Sequence, residues 1–391
     1  MRLKSPNLRA AFLAGALLSL GLPALSASWK VTLIEQAGQP DLERTRRERA
    51  YLGHPGGSAS DGVALGFEDA KFELDAAQMS LSLKTESASS PEAARQAAQK
   101  AVQAGAPVLL VNLPAAWVPG VAEAVKVPVL NIGASADALR ERDCRSNLYH
   151  VIPSERMRAD ALAQALVGRK WSQILLLTGP SADDALRSQV AQAAIKRYGL
   201  KLVANKPFKL SADPRERALA NTALLTGNMS YDAVWVVDSD GEFARSLPYN
   251  TASARPVVGD GGMFALAWQS QFERFGAPQL SRRFFQEAKR PMTDRDWAAW
   301  MGGAAVAAAS IAQPKVDPAA LAKAFAALDL DGSKGVSMQF RPWDRQLRQP
   351  MLLTDGQGVI ATMPMDGMLH PRNVLDTLGA DEGEKLCKPK S

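Results

Sequence analysis

The sequence predicts an α/β protein of two doubly wound parallel-sheet lobes joined by three chain crossings. Three observations predict it. Short β-rich runs alternate with helices of one or more turns, which means crossover connections and parallel sheets covered on both faces. The alternation occurs in two similar blocks that meet near residue 150, and the chain then turns helical before it returns to short strands. With 391 residues, 47% of them apolar, it can bury more than one core.

Residues 1–27 begin with Arg2, Lys4 and Arg9, continue in an apolar run and end in small residues from Ala24 to Ala27. That is the layout of a cleaved signal peptide, too short and wrongly flanked for a membrane span. No Cys lies near the cleavage region and no later apolar run approaches ~20 residues, so a soluble exported chain is expected. The signal takes three of the 46 Lys+Arg and none of the 40 Asp+Glu, which lowers the net charge from +6 to +3 and leaves no case for nucleic acid.

In the first block, strands are expected at 31–36, 79–85, 106–112 and 127–133, and helices at 61–74, 91–105 and 115–126. Ser90-Pro91 supplies a cap and an N1 proline. In the second block, helices at 155–170, 181–199 and 214–227 alternate with strands at 172–179, 200–208, 231–238 and 256–260. Ser181 with Asp184 resembles a capping box, and Gly199 ends that helix. Further helices are expected at 266–276, 281–290, 294–312 and 317–328, and last strands at 335–340, 349–355 and 358–364. If the late helices rejoin the first block and the last strands the second, lobe 1 is 28–150 with 262–335, and lobe 2 is 151–261 with 336–391. The crossings then fall near 148–154, 258–264 and 333–342.

The order and spacing of SPEAARQAAQKAVQAGAPVLLVN, VPVLNIGAS, NLYHVIPSERMRADALAQALVGRKWSQILLL and AAIKRYGLKLV resemble the type I periplasmic binding proteins, the leucine/isoleucine/valine-receptor class of ABC-transporter solute receptors. YLGHPGG, YDAVWVVDSDGEFARSLPY, ARPVVGDGG, FRPWDRQLRQP and LHPRNVLDTLG are similar to a branch found beside PQQ-dependent alcohol dehydrogenase systems. The resemblance implies a monomeric periplasmic receptor for a small molecule, with PQQ, a planar quinone with three carboxylates, as the leading ligand. It implies an ABC permease or a PQQ-dependent dehydrogenase as partner. Where amino-acid receptors offer hydroxyls to the ligand carboxylate, Ala115, Ala116 and Trp117 stand instead, and the next loop keeps Ser135 but has Ala136.

A cleft that closes over its ligand draws contacts from strand ends and crossings. Trp117 either stacks on a flat ligand or caps a helix. Arg156 and Arg158, after the first crossing, either fork onto carboxylates or form a solvated helical turn. Asp238 and Asp260 end strands of the second block, and for a polyanion both are repulsive. His54 in HPGG sits in a loop open to an anion, and Trp268 and Trp343 either line the mouth or pack. Arg140, Arg142 and Arg145 read as a basic surface run, and Trp297 and Trp300 as core. Cys144 and Cys387 form either a disulfide that staples the C-terminal tail to mid-chain or two free thiols, and exported proteins favour the first.

His54, His150 and His370 lie in separate segments, with no HExxH, GxSxG, CxxC or Walker-type loop, so no enzyme and no catalytic cofactor is expected. The alternatives to a PQQ receptor are a receptor for an amino acid, amide or alcohol-derived metabolite, and a sensor or assembly factor for an alcohol dehydrogenase system.

Overall fold

The computed structural model describes residues 27–39 and 56–388. The expected signal peptide, apart from Ala27, and His54 lie outside the described residues.

Five parallel strands, β1 (Ala27–Gln36), β2 (Met79–Ala88), β3 (Leu109–Asn112), β4 (Val129–Asn131) and β5 (Leu148–His150), form the first sheet in the order β2-β1-β3-β4-β5. Its crossovers are α1 (Ala59–Asp69) with α2 (Lys71–Ala76), α3 (Pro91–Gln103) and α4 (Val118–Glu123). The second lobe holds α5 (Glu155–Gly168), β6 (Gln173–Thr178), α6 (Ala182–Arg197), β7 (Lys201–Pro207), α7 (Arg217–Ala220), α8 (Thr222–Thr226), β8 (Ala233–Val237), α9 (Glu242–Asn250) and β9 (Val257–Gly259). Its parallel sheet runs β7-β6-β8-β9. After β10 (Phe264–Leu266) come α10 (Ala277–Ala288), α11 (Asp294–Ala312) and α12 (Pro318–Ala326), then the hairpin β11 (Leu330–Asp331) and β12 (Ser337–Met338), then β13 (Met351–Thr354) and β14 (Val359–Met363). Hydroxyl caps start α3, α5, α6 and α11: Ser90, Ser154, Ser181 and Thr293 each accept a first-turn N–H.

One expected helix is absent and one helix not expected from sequence is present. The stretch 266–276 spaces Trp268 and Phe272 like a helix stripe, yet it is a strand end followed by turns, because β10 pairs antiparallel with β13 and Phe275 and Gly276 take positive φ. Conversely Glu242–Asn250 is helical despite Gly241 and Pro248, since the Asp238 carboxylate accepts the Ala244 N–H at 2.9 Å and tethers its start.

The two cores change over later than the sequence boundaries. Met263 and Ala265 pack in the second-lobe core, and Ala267 and Trp268 in the first. Met338, Phe340 and Leu347 still belong to the first core. The reason is the antiparallel sheet β10-β13-β14 at the junction: Met351 and Leu353 face the second core, while Leu352 between them faces the first.

Residues of α10, α11 and α12 pack in the first core, where α11 lies on α1 with glycine at the contact. A Cβ on Gly62 would stand 2.6 Å from the Asp296 carbonyl oxygen, one on Gly66 2.5 Å from that of Trp300, and one on Gly303 2.6 Å from that of Val63. Trp297 is fully buried and Trp300 nearly so, with indole N–H groups donating to the Gly332 carbonyl and to Asp69. The Cys144–Cys387 disulfide is formed, with Cα atoms 5.7 Å apart. It ties the tail to lobe 1, while the same tail is held on α5 of lobe 2 through Gly379 N–H to Asp160 and Arg156 to Glu384.

Gly66→Ala is expected to destabilise by about 2 kcal/mol, because the clash with backbone outweighs the helix-propensity gain of about 1. Gly120→Ala, whose Cβ would meet nothing within 4 Å, should be neutral or stabilising in the same thermal melts. Cys387→Ser should lower stability by about 3 kcal/mol, a loss that a thiol reductant reproduces in the wild-type chain and does not deepen in the variant.

Candidate functional site

The loop after β4 and two of the chain crossings, the first and the third, meet in a buried polar knot. Arg140 is 2% exposed and donates to the carbonyls of Ala134 (2.9 Å), Ala136 (3.1 Å) and Ile152 (2.7 Å) and to Gln346 Oε1 (2.9 Å). Burial pulls its pKa down to about 10, against the pull of Asp137 and Asp344. Gln346 returns Nε2 to the carbonyls of His150 and Ile152, and Leu347 N–H bonds the His150 carbonyl. Burial holds the His150 imidazole well below its usual pKa. Arg140 is thus a buried clamp and a correction to its assignment to a basic surface. Arg145 is buried against Glu123, and Arg142 is exposed.

Beside this knot, between the lobes, lies a cleft of about 380 Å³. Gly133 and Ser135 from the β4 end face Glu155, Arg158 and Leu162 of α5, Arg187 and Val190 of α6, Trp235 of β8, Asp260, Phe264, and Asp294 and Arg295 at the start of α11. Three arginines meet three carboxylates there. Arg187 Nη2 donates to Asp260 at 2.7 Å, with Glu155 at 3.7 Å. Burial disfavours the Arg187 cation, but Asp260, Glu155 and Asp183 outweigh it and hold its pKa above the usual guanidinium value. Arg158 Nη2 donates to Asp294 at 2.8 Å and Nη1 to the Ala265 carbonyl at 3.2 Å. The Ser135 hydroxyl donates to Glu155, whose N–H bonds the Ser135 carbonyl.

Of the described residues singled out from sequence, Ser135, Arg158 and Asp260 line this cleft, and the other described ones do not. Trp117 is half-buried, sits at the start of α4 and packs on the core behind β3, with Ala115 beside it and Ala116 exposed. Its place just past a strand end comes from the turn in which Trp117 N–H bonds the Pro114 carbonyl, so the ring serves the helix. Arg156 points the other way, forking onto Glu384 of the tail at 2.9 and 2.5 Å. Asp238 serves α9, and burial, with Asp260 and Asp184 nearby, raises its pKa. Trp268 is 1% exposed and stacked on Trp297 at 6.4 Å. Trp343 donates to the Ala380 carbonyl beneath the tail, between Arg341 and Arg348.

The cleft's aromatic residues are Trp235 and Phe264, which sequence reasoning missed. The signal was the parity of YDAVWVVD. Val234 and Val236 face one core, and Trp235 and Val237 the other, toward α5. Gly259, at φ +89, makes room for the ring, since a Cβ there would lie 3.0 Å from Trp235 Cδ1.

Solved structures share this two-lobe arrangement. A leucine-, isoleucine-, valine-, threonine- and alanine-binding protein from Brucella ovis, in closed conformation, superposes with a TM-score of 0.65 at 14% identity, covering 93% of this chain and 97% of that one. The profile of the periplasmic binding protein family matches residues 53–221. The fold is that of a type I periplasmic binding protein. A Rhodopseudomonas palustris solute-binding protein in complex with benzoate shares the type I fold at TM-score 0.63 and 16% identity, over 91% and 98% of the two chains. Another from R. palustris BisB5, in complex with 3,4-dihydroxybenzoic acid, does so at 0.65 and 14%, over 86% and 97%. No curated protein matches the sequence. Among the described residues, no helix is long and apolar enough to cross a membrane.

Proposed function

We propose that the chain is a periplasmic solute receptor of the ABC-transporter type, whose cleft takes a small carboxylate with an aromatic or branched apolar body. The observation that carries this is the pairing, in one interlobe cleft, of an apolar wall with arginines. Trp235, Phe264 and Leu162 offer the wall, and Arg158 lies on the same helix as Leu162. A guanidinium in a dry cleft keeps its charge and matches a carboxylate in bidentate geometry. The family profile and the related folds support a binding protein over an enzyme, with export to the periplasm and an ABC permease as the partner.

Charge balance favours a monoanion or zwitterion over PQQ. The cleft sets Arg158, Arg187 and Arg295 against Glu155, Asp260 and Asp294, so it offers no net positive charge to a ligand with three carboxylates. Arg187 is neutralised from within its own lobe.

The test is titration of the purified mature protein with leucine, benzoate, 3,4-dihydroxybenzoate and PQQ, followed by tryptophan fluorescence and calorimetry. A monocarboxylate should bind one-to-one, and Arg158→Ala should weaken it at least about tenfold. Trp117→Phe should leave the affinity unchanged. Tighter binding of PQQ than of the monocarboxylates would overturn the charge argument, and a null result with all four would remove the carboxylate receptor.

A further inference from the structure

Arg158 and Asp294 belong to different lobes. Arg158 is on α5, which packs on α6 and β10; Asp294 is the first residue of α11, which packs on α1. Their 2.8 Å pair spans the cleft, with both side chains about a fifth exposed to it (19% and 18%). Among the described residues, Asp294 is the one carboxylate within ion-pair distance of Arg158. Arg187, by contrast, carries its counter-ions Asp260 and Glu155 in its own lobe's wall.

Opening the cleft therefore has unequal consequences. Arg187 stays neutralised, whereas Arg158 loses its carboxylate and keeps only the Ala265 carbonyl. A ligand carboxylate that replaces Asp294 on Arg158 then meets Asp294 again as the lobes close. The cleft already sets three arginines against three carboxylates, so a ligand carboxylate added beside Asp294 is a fourth, unbalanced negative charge and is repelled unless the ligand also brings a donor to Asp294.

We infer that Asp294 is the specificity-determining residue of the cleft: it selects carboxylates that also carry a hydrogen-bond donor, an ammonium or a hydroxyl, and rejects those that carry none. This rests on the carboxylate-receptor reading above. A donor turns the Asp294 charge from a repulsive neighbour into an acceptor, and leaving a buried carboxylate unsatisfied costs more than the bond returns. The capping box of Thr293 and Asp296 starts α11 without Asp294, so the side chain is free of a capping duty.

The experiment compares two matched pairs by calorimetry on the full mature chain: leucine against 4-methylpentanoate, and 3,4-dihydroxybenzoate against benzoate. In the wild type, the donor-bearing member of at least one pair should bind about tenfold or more tighter. In Asp294→Asn and Asp294→Ser that ratio should collapse toward one, mainly through a gain by the donor-less acid, while melting temperatures report that both variants fold. Equal affinities within each pair in the wild type, or a ratio that survives both substitutions, would overturn the inference and leave the receptor reading standing. Absence of binding by all four acids would remove both.

Discussion

The fold turns on one buried guanidinium. Arg140 donates to oxygens from the loop after β4, from the first crossing and from the third, and so fixes where the chain passes between lobes. A buried cation is tolerable when its donors are used, and here neutral oxygens use four of them. Lys334 repeats the solution nearby: its ammonium lies over the Trp297 ring at 3.6 Å and donates to Gln349 and the Pro350 carbonyl. Burial drives its pKa well down. Both cations sit where crossings meet, so any movement of the lobes would pivot on groups that cannot leave their partners cheaply.

Around that pivot the molecule divides its charges by lobe. Pairs within one lobe, such as Arg187 with Asp260 and Arg290 with Asp296, survive any rigid-body motion. Pairs between lobes depend on closure, and Arg158 with Asp294 is one that also faces the cleft. The tail adds a covalent link on the pivot side, since Cys387 is bonded to lobe 1 while Gly379 and Glu384 are held by α5 of lobe 2. Rigidity is thus concentrated on one side of the cleft.

Much of the architecture was legible because it rests on local chemistry. Alternating β-rich and helical runs, the caps at Ser90 and Ser181, and the pair Cys144 and Cys387 each act over a few residues or through composition. The site was legible only in part. Arg158 and Ser135 were found because crossings and strand ends border a cleft, but Trp117 and Arg156 satisfy the same rule and point elsewhere. Arg156 finds Glu384, 228 residues away, and nothing near it in the chain announces that partner.

By itself the sequence determined the fold class, the doubled α/β plan and the supply of arginines and acids. Tertiary structure decided which of them face one another. The reason is physical: side-chain direction follows strand parity and helix phase, while ion pairing depends on distances set by how two lobes pack. Trp235 enters the cleft through parity and a glycine at position 259, and Asp294 reaches Arg158 only because α11 folds back across the first lobe.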